Sequence, residues 1–183
     1  AAEGFFANDL EEALAAGKRV VPEDSDISQI FCEVTSLWKE LGDWRRIWRR
    51  LVRKLGHRDG SKVQINFAFT LLSLYAGEGD FKKTIVTAIN CGWDTDCTAA
   101  TAGALLGVLQ GASRLPDDWK SKMGDRLTCD VAVRHKTALL TEFSVDTCIV
   151  GLEVALTRNP IVRIVDVPED VLNEAVRRKN SRS

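Results

Sequence analysis

Apolar positions recur at helical spacing along most of the chain, and glycines, prolines and acidic caps punctuate them. The opening residues through Leu14 read as helical sequence. Ile27, Ile30, Phe31, Val34, Leu37, Trp38 and Leu41 form one broad apolar face, and Val20-Val21-Pro22-Glu23-Asp24-Ser25-Asp26 ahead of them prepares a helix start. Gly42-Asp43 ends that segment, and Asp43 caps the next, Trp44 to Leu55. There Trp44, Ile47, Trp48, Leu51 and Leu55 share one face, while Arg45, Arg46, Arg49, Arg50, Arg53 and Lys54 cover the other. This reads as a solvated face over a buried stripe, with its charge neutralised by acids elsewhere. Gly56-His57-Arg58-Asp59-Gly60 is a loop, and His57 reads as a surface residue.

Val63 through Ala76 is apolar nearly all round, which predicts a central, buried helix. Asn66 is its polar exception. A buried amide must be hydrogen-bonded, here to core backbone or to the turn at Gly92–Asp96. Asp80 caps a further helix, Phe81 to Asn90. The segment after Asp96 carries Gly103, Gly107 and Gly111 among alanines, a spacing that predicts close approach of neighbouring backbones. Each such glycine costs about 1 kcal/mol relative to alanine. Leu115-Pro116-Asp117-Asp118-Trp119 starts another helix. Val131 to Leu156 is moderately helical, with His135 among polar neighbours. Ile161-Val162-Arg163-Ile164-Val165 is the best strand candidate, Pro168-Glu169-Asp170 opens a final helix, and Arg177 to Ser183 reads as a frayed basic tail. The pattern predicts an all-α protein.

Composition narrows the function classes. A formal net charge of −1 over 183 residues supplies no global field for nucleic acid or an anionic membrane, so neither is expected as a partner. No apolar run is long enough to span a bilayer. The five cysteines (Cys32, Cys91, Cys97, Cys129, Cys148) lack a Cys-x-x-Cys pair, which predicts a reducing, cytoplasmic setting with most of them as small buried apolar residues.

The chemistry concentrates in Cys91-Gly92-Trp93-Asp94-Thr95-Asp96-Cys97, followed by the small-residue run Thr98 to Ala104. Either Asp94 or Thr95 suits the N-cap, leaving Asp96 in the first turn, where the helix dipole favours negative charge. Carboxylate and hydroxyl oxygens gathered in one turn are hard ligands, suited to Mg²⁺ or Mn²⁺.

This motif, with Ala99-Ala100, Gly103-Ala104, Gly107, Leu115-Pro116 and Trp119, resembles the C-terminal motif of the ADP-ribosylglycohydrolase family, which includes the dinitrogenase reductase-activating glycohydrolases. The resemblance reaches back through Asn66, Tyr75 and Gly79-Asp80-Phe81 to Val21–Ser25. It implies a compact, orthogonal multi-helix domain and a two-metal centre, with Mg²⁺ or Mn²⁺, that removes ADP-ribose from modified proteins or small ADP-ribosyl compounds. By the same resemblance Asp94, Asp96 and Cys97 fall at metal positions, Cys97 where a hydroxyl residue commonly stands. Asn66, Gly92, Trp93 and Thr95 fall at substrate-binding positions. The family's N-terminal Thr-Asp-Asp type motif and acidic general base have no counterpart here. The expectation is therefore of a fold incomplete at its N-terminus, inactive alone and completed by an N-terminal half or partner subunit. Residues 1–127 would be the C-terminal portion of the family domain, and 128–183 a helical extension. The alternative is an inactive helical module that binds ADP-ribose or a protein partner.

Overall fold

The computed structural model describes residues 3–128, 137–158 and 167–180. Among these residues it is all-α apart from two short 3-10 turns and one pair of three-residue antiparallel strands. The helices are α1 (Leu10–Arg19), α2 (Asp26–Leu41), α3 (Trp44–Leu55), α4 (Val63–Gly77), α5 (Phe81–Cys91), α6 (Thr95–Gln110), α7 (Asp117–Met123), α8 (Leu140–Arg158) and α9 (Glu169–Asn180). The chain divides into two units, Ala1–Trp119 and Lys120–Ser183.

In the first unit α4 is the hub, as its all-round apolarity requires, and it packs against α2, α3, α5 and α6. Ile65, Ala68, Phe69, Leu71 and Leu72 of α4 are buried together with Ile30 and Val34 of α2 and Ile47 and Leu51 of α3. The starts of α2, α3 and α5 are fixed by side-chain caps. Ser25 accepts from the Ser28 N–H, Asp43 from those of Arg45 and Arg46, and Asp80 from that of Lys83. The helices approach closely at Gly77, where a Cβ would stand 1.7 Å from Thr84 Oγ1 and 3.0 Å from Thr84 Cα. That contact holds α4 against α5.

The glycine series of α6 behaves differently from the expectation. Only Gly103 is crowded, and by side chains of α5, with Ile85 Cδ1 at 3.1 Å from the site of a Cβ. Gly107 faces open space, and Gly111 lies past the helix end as its C-cap. Spacing alone marks glycines on one helix face without telling which of them meets a neighbour.

On α3 the apolar stripe is buried and the basic face exposed, as the period requires. Two of the six cations find acids on α2: Arg50 pairs with Glu40 at 3.6 Å, and Lys54 with Glu33 at 2.7 Å. Neutralisation by other elements is therefore partial.

In the second unit, strands β1 (Arg126–Thr128) and β2 (Thr137–Leu139) pair antiparallel, with Leu127 opposite Ala138. Residues 137–139 were expected to be helical; three-residue strands leave no alternation to read. Asp125 then anchors α8, its carboxylate accepting from the Thr141 N–H at 3.0 Å and the Thr141 hydroxyl at 2.8 Å. Ile149 and Leu152 of α8 are buried with Val167 and Val171 packed against them. The strand expected at Ile161–Val165, His135 and Cys129 lie outside the described residues. The basic tail is helical as far as Asn180, where a frayed terminus was expected. Of the four described cysteines, all free thiols, only Cys91 is buried, whereas most were expected inside. No helix among the described residues is long and apolar enough to cross a membrane.

Candidate functional site

The turn between α5 and α6 is built from three consecutive unusual backbone conformations. Gly92 has φ 83° and ψ −163°, a region essentially confined to glycine. Trp93 follows with φ 60°, uncommon for a bulky side chain. Two contacts hold it there: its indole N–H donates to the His57 carbonyl at 3.0 Å, and its ring meets Phe69 edge-on at 5.5 Å. Asp94, at φ −85° and ψ 69°, then forms an inverse γ-turn, with the Thr95 N–H donating to the Trp93 carbonyl at 3.0 Å.

This turn decides what Asp94 can do. It occupies the N-cap position of α6, and its carbonyl accepts the first helical bond from Thr98 N–H at 3.0 Å. Its carboxylate, however, makes no capping bond. The aspartate caps at Asp9, Asp43 and Asp80 all do, from more extended backbone. The γ-turn leaves the Asp94 side chain available for other partners.

Two side chains from the surrounding helices fix the turn's main chain. The Trp48 indole N–H donates to the Cys91 carbonyl at 2.8 Å. Asn66 donates from Nδ2 to the Gly60 and Lys62 carbonyls, at 2.7 and 3.0 Å, and its Oδ1 accepts from the Asp94 N–H at 3.1 Å. Asn66 thus ties the α3–α4 loop to the turn. Of the partners anticipated from the sequence, the turn is used; the other carbonyls belong to the exposed α3–α4 loop rather than to core backbone, and Asn66 itself is half-buried.

Ligand atoms of Asp94, Asp96 and Cys97 lie within 4.8 Å of one another, a separation that a single divalent ion could span. Asp94 is half-buried, and Asp96 and Cys97 are exposed. The Cys97 thiol is pushed up from its ordinary pKa, first by its hydrogen bond with the Asp94 side chain and then by the charges of Asp94 and Asp96. It is therefore a neutral thiol at neutral pH. The two carboxylates fit a hard divalent cation, and the thiol does not. Burial pushes the Cys91 thiol up to about 12, so it stays protonated at neutral pH.

Asp94, Cys97 and Thr98 line a cleft of about 390 Å³ whose wall is otherwise largely apolar, including Phe31, Leu71 and Leu105. Asn66 also lines it. Gly92, Trp93 and Thr95 serve the site through the backbone of the turn. Sequence reading missed two contributors, Trp48 and the carbonyls of the α3–α4 loop. Trp48 was assigned to an apolar stripe; the one available signal was that a partly buried indole N–H needs an acceptor.

ADP-ribosyl-[dinitrogen reductase] glycohydrolase of Rhodospirillum rubrum is 32% identical over 77 residues, which is 42% of this chain and 26% of that protein. The matched stretch thus spans about a quarter of that relative's length. No solved structure matches. The family model for ADP-ribosylglycohydrolase matches residues 1–146, most of the chain, and with the helical fold and the Asp94–Cys97 turn this places the chain in the ADP-ribosylglycohydrolase family.

Proposed function

We propose that this protein contributes to a metal-dependent hydrolase that cleaves the glycosidic bond of ADP-ribosylated proteins or small ADP-ribosyl compounds. The observation that carries the metal reading is the Asp94 carboxylate, which stands at a helix N-cap and does not cap. Asp94 and Asp96 would hold Mg²⁺ or Mn²⁺ through their oxygens, with Cys97 at the edge of the group as a neutral thiol. A divalent ion there supplies Lewis-acid polarisation of oxygen ligands.

The chain's own residues do the positioning. Asn66 and Trp48 clamp the main chain on either side of Gly92, so the carboxylates are presented on a fixed turn. The cleft beside them offers an apolar wall for the less polar part of a substrate, and Thr95 and the Trp93 ring border the turn. Among the described residues, Asp94, Asp96 and Cys97 are the one grouping of three or more metal-ligating side chains. In this proposal the general base and further ligands come from an N-terminal portion or partner subunit.

A second reading has its own observation. Cys97 gives no hard donor where the family commonly has a hydroxyl, which suits a module that binds ADP-ribose, or a protein partner, without hydrolysing anything. Calorimetric titration of Mn²⁺, with and without ADP-ribose, on the chain and on Asp94→Ala/Asp96→Ala tests the site. Binding that ADP-ribose strengthens and the double substitution abolishes is expected. Nucleotide binding that ignores both Mn²⁺ and the substitution would support the module instead.

A further inference from the structure

Helix α3 carries six cations and no acid, in a chain whose net charge is −1. Arg50 and Lys54 are paired with Glu40 and Glu33 on one flank. Arg45, Arg46, Arg49 and Arg53 are all exposed and form no ion pair with the described residues, although Arg45 also lies 4.6 Å from the centre of the Trp44 ring. At 1.5 Å rise per residue this row extends about 12 Å along one side of the helix.

The row is tied to the candidate site. On the apolar face of α3, Trp48 holds the Cys91 carbonyl. At its C-terminal end, a Cβ on Gly56 would stand 3.6 Å from Trp93 Cζ2. The loop that follows carries exposed Arg58 and Lys62; its His57 carbonyl accepts from the Trp93 indole of the site turn, and its Gly60 and Lys62 carbonyls accept from Asn66, which in turn accepts from the Asp94 N–H. Asp59, the acid of that loop, is engaged by the Ser61 N–H and hydroxyl.

We propose that the Arg45–Arg53 row is a docking surface for an acidic polypeptide segment, belonging to the protein whose ADP-ribosyl group the Asp94 turn handles. The docking stands on α3 alone, while its role in substrate recognition rests on the hydrolase reading. Guanidinium groups form two parallel hydrogen bonds with a carboxylate, so a row of them on a rigid helix favours a carboxylate-rich strand or loop. Nucleic acid is the poorer fit. Its capture depends on a long-range positive field, and the net charge of this chain supplies none.

The test is fluorescence anisotropy with a labelled oligoglutamate peptide at low salt, using the full chain. The wild type should bind, and Arg49→Glu/Arg53→Glu should weaken binding at least about tenfold, since two contacts become two repulsions. Arg49→Gln/Arg53→Gln, a milder change to the helix, should weaken it about threefold. Arg19→Glu/Lys82→Glu alters net charge equally at exposed positions outside α3 and should change binding less than about twofold. No binding by wild type, equal loss in the Arg19/Lys82 control, or tighter binding of a single-stranded oligonucleotide would overturn the proposal. Asp94→Ala/Asp96→Ala should bind the peptide like wild type. A chain that holds the peptide but binds no Mn²⁺ or ADP-ribose would count against a metal site formed by Asp94 and Asp96 on this chain alone and leave the docking surface standing.

Discussion

Replacing Asn66 by alanine removes three hydrogen bonds with one substitution: two donated to Gly60 and Lys62, and one accepted from the Asp94 N–H. Each is worth about 0.5–1.5 kcal/mol net, giving roughly 1.5–4.5 kcal/mol if all were fully buried. Asn66 is only half-buried, so water re-satisfies part of what is broken, and about 1.5–3 kcal/mol is the expected loss. Asn66→Asp separates the bonds. It keeps an acceptor for the Asp94 N–H but turns a carboxylate toward two carbonyls, so it should cost at least as much as alanine. Urea unfolding measures both, and the slope should stay unchanged if the denatured state is the same. Hydrogen exchange at the Asp94 amide should accelerate in Asn66→Ala, and Mn²⁺ affinity should fall because the turn is no longer held. If both variants unfold within about 0.5 kcal/mol of wild type and the Asp94 amide stays protected, the clamp is not what orders this site.

Gly92→Ala isolates backbone strain, because a Cβ there meets nothing within 4 Å yet would sit at φ 83°. A loss of about 1–3 kcal/mol in urea unfolding is expected, and a neutral result would mean that the turn relaxes to another conformation at no cost. Cys91 bears on alkaline stability. Its folded pKa, raised by burial to about 12 from 9.0, means that the unfolded chain releases its proton first. Stability from this group is complete below pH 9.0 and is lost as pH rises toward about 12. Cys91→Ala should flatten the decline over that window relative to wild type; parallel curves would refute the burial argument. In native alkylation at neutral pH, Cys32 and Cys148 should label, while Cys91 should react only after denaturation.

Much of the helical architecture was written locally. Ser25, Asp43 and Asp80 announce helix starts because a cap needs only a side-chain oxygen within three residues of an open N–H. The apolarity of Val63–Gly77 dictated a central helix because no face of it could be left in water. The Asp94-Thr95-Asp96-Cys97 cluster was legible for the same reason, since its four residues lie in one turn of chain. What the sequence left open depended on distant partners. The Cys91 carbonyl meets Trp48 across 43 positions, and the Asp94 N–H meets Asn66 across 28, and no local pattern encodes either separation. The γ-turn that frees the Asp94 carboxylate from capping exists because Trp93 is pinned to His57 and Phe69, on the loop and the hub helix. Likewise, which cations on α3 are neutralised was settled only when α2 set Glu33 and Glu40 against Lys54 and Arg50. Caps and periodicity act over a few residues and can be read from the chain. The conformation of the site turn and the free charge beside it arise from packing between helices, and only the tertiary structure decided them.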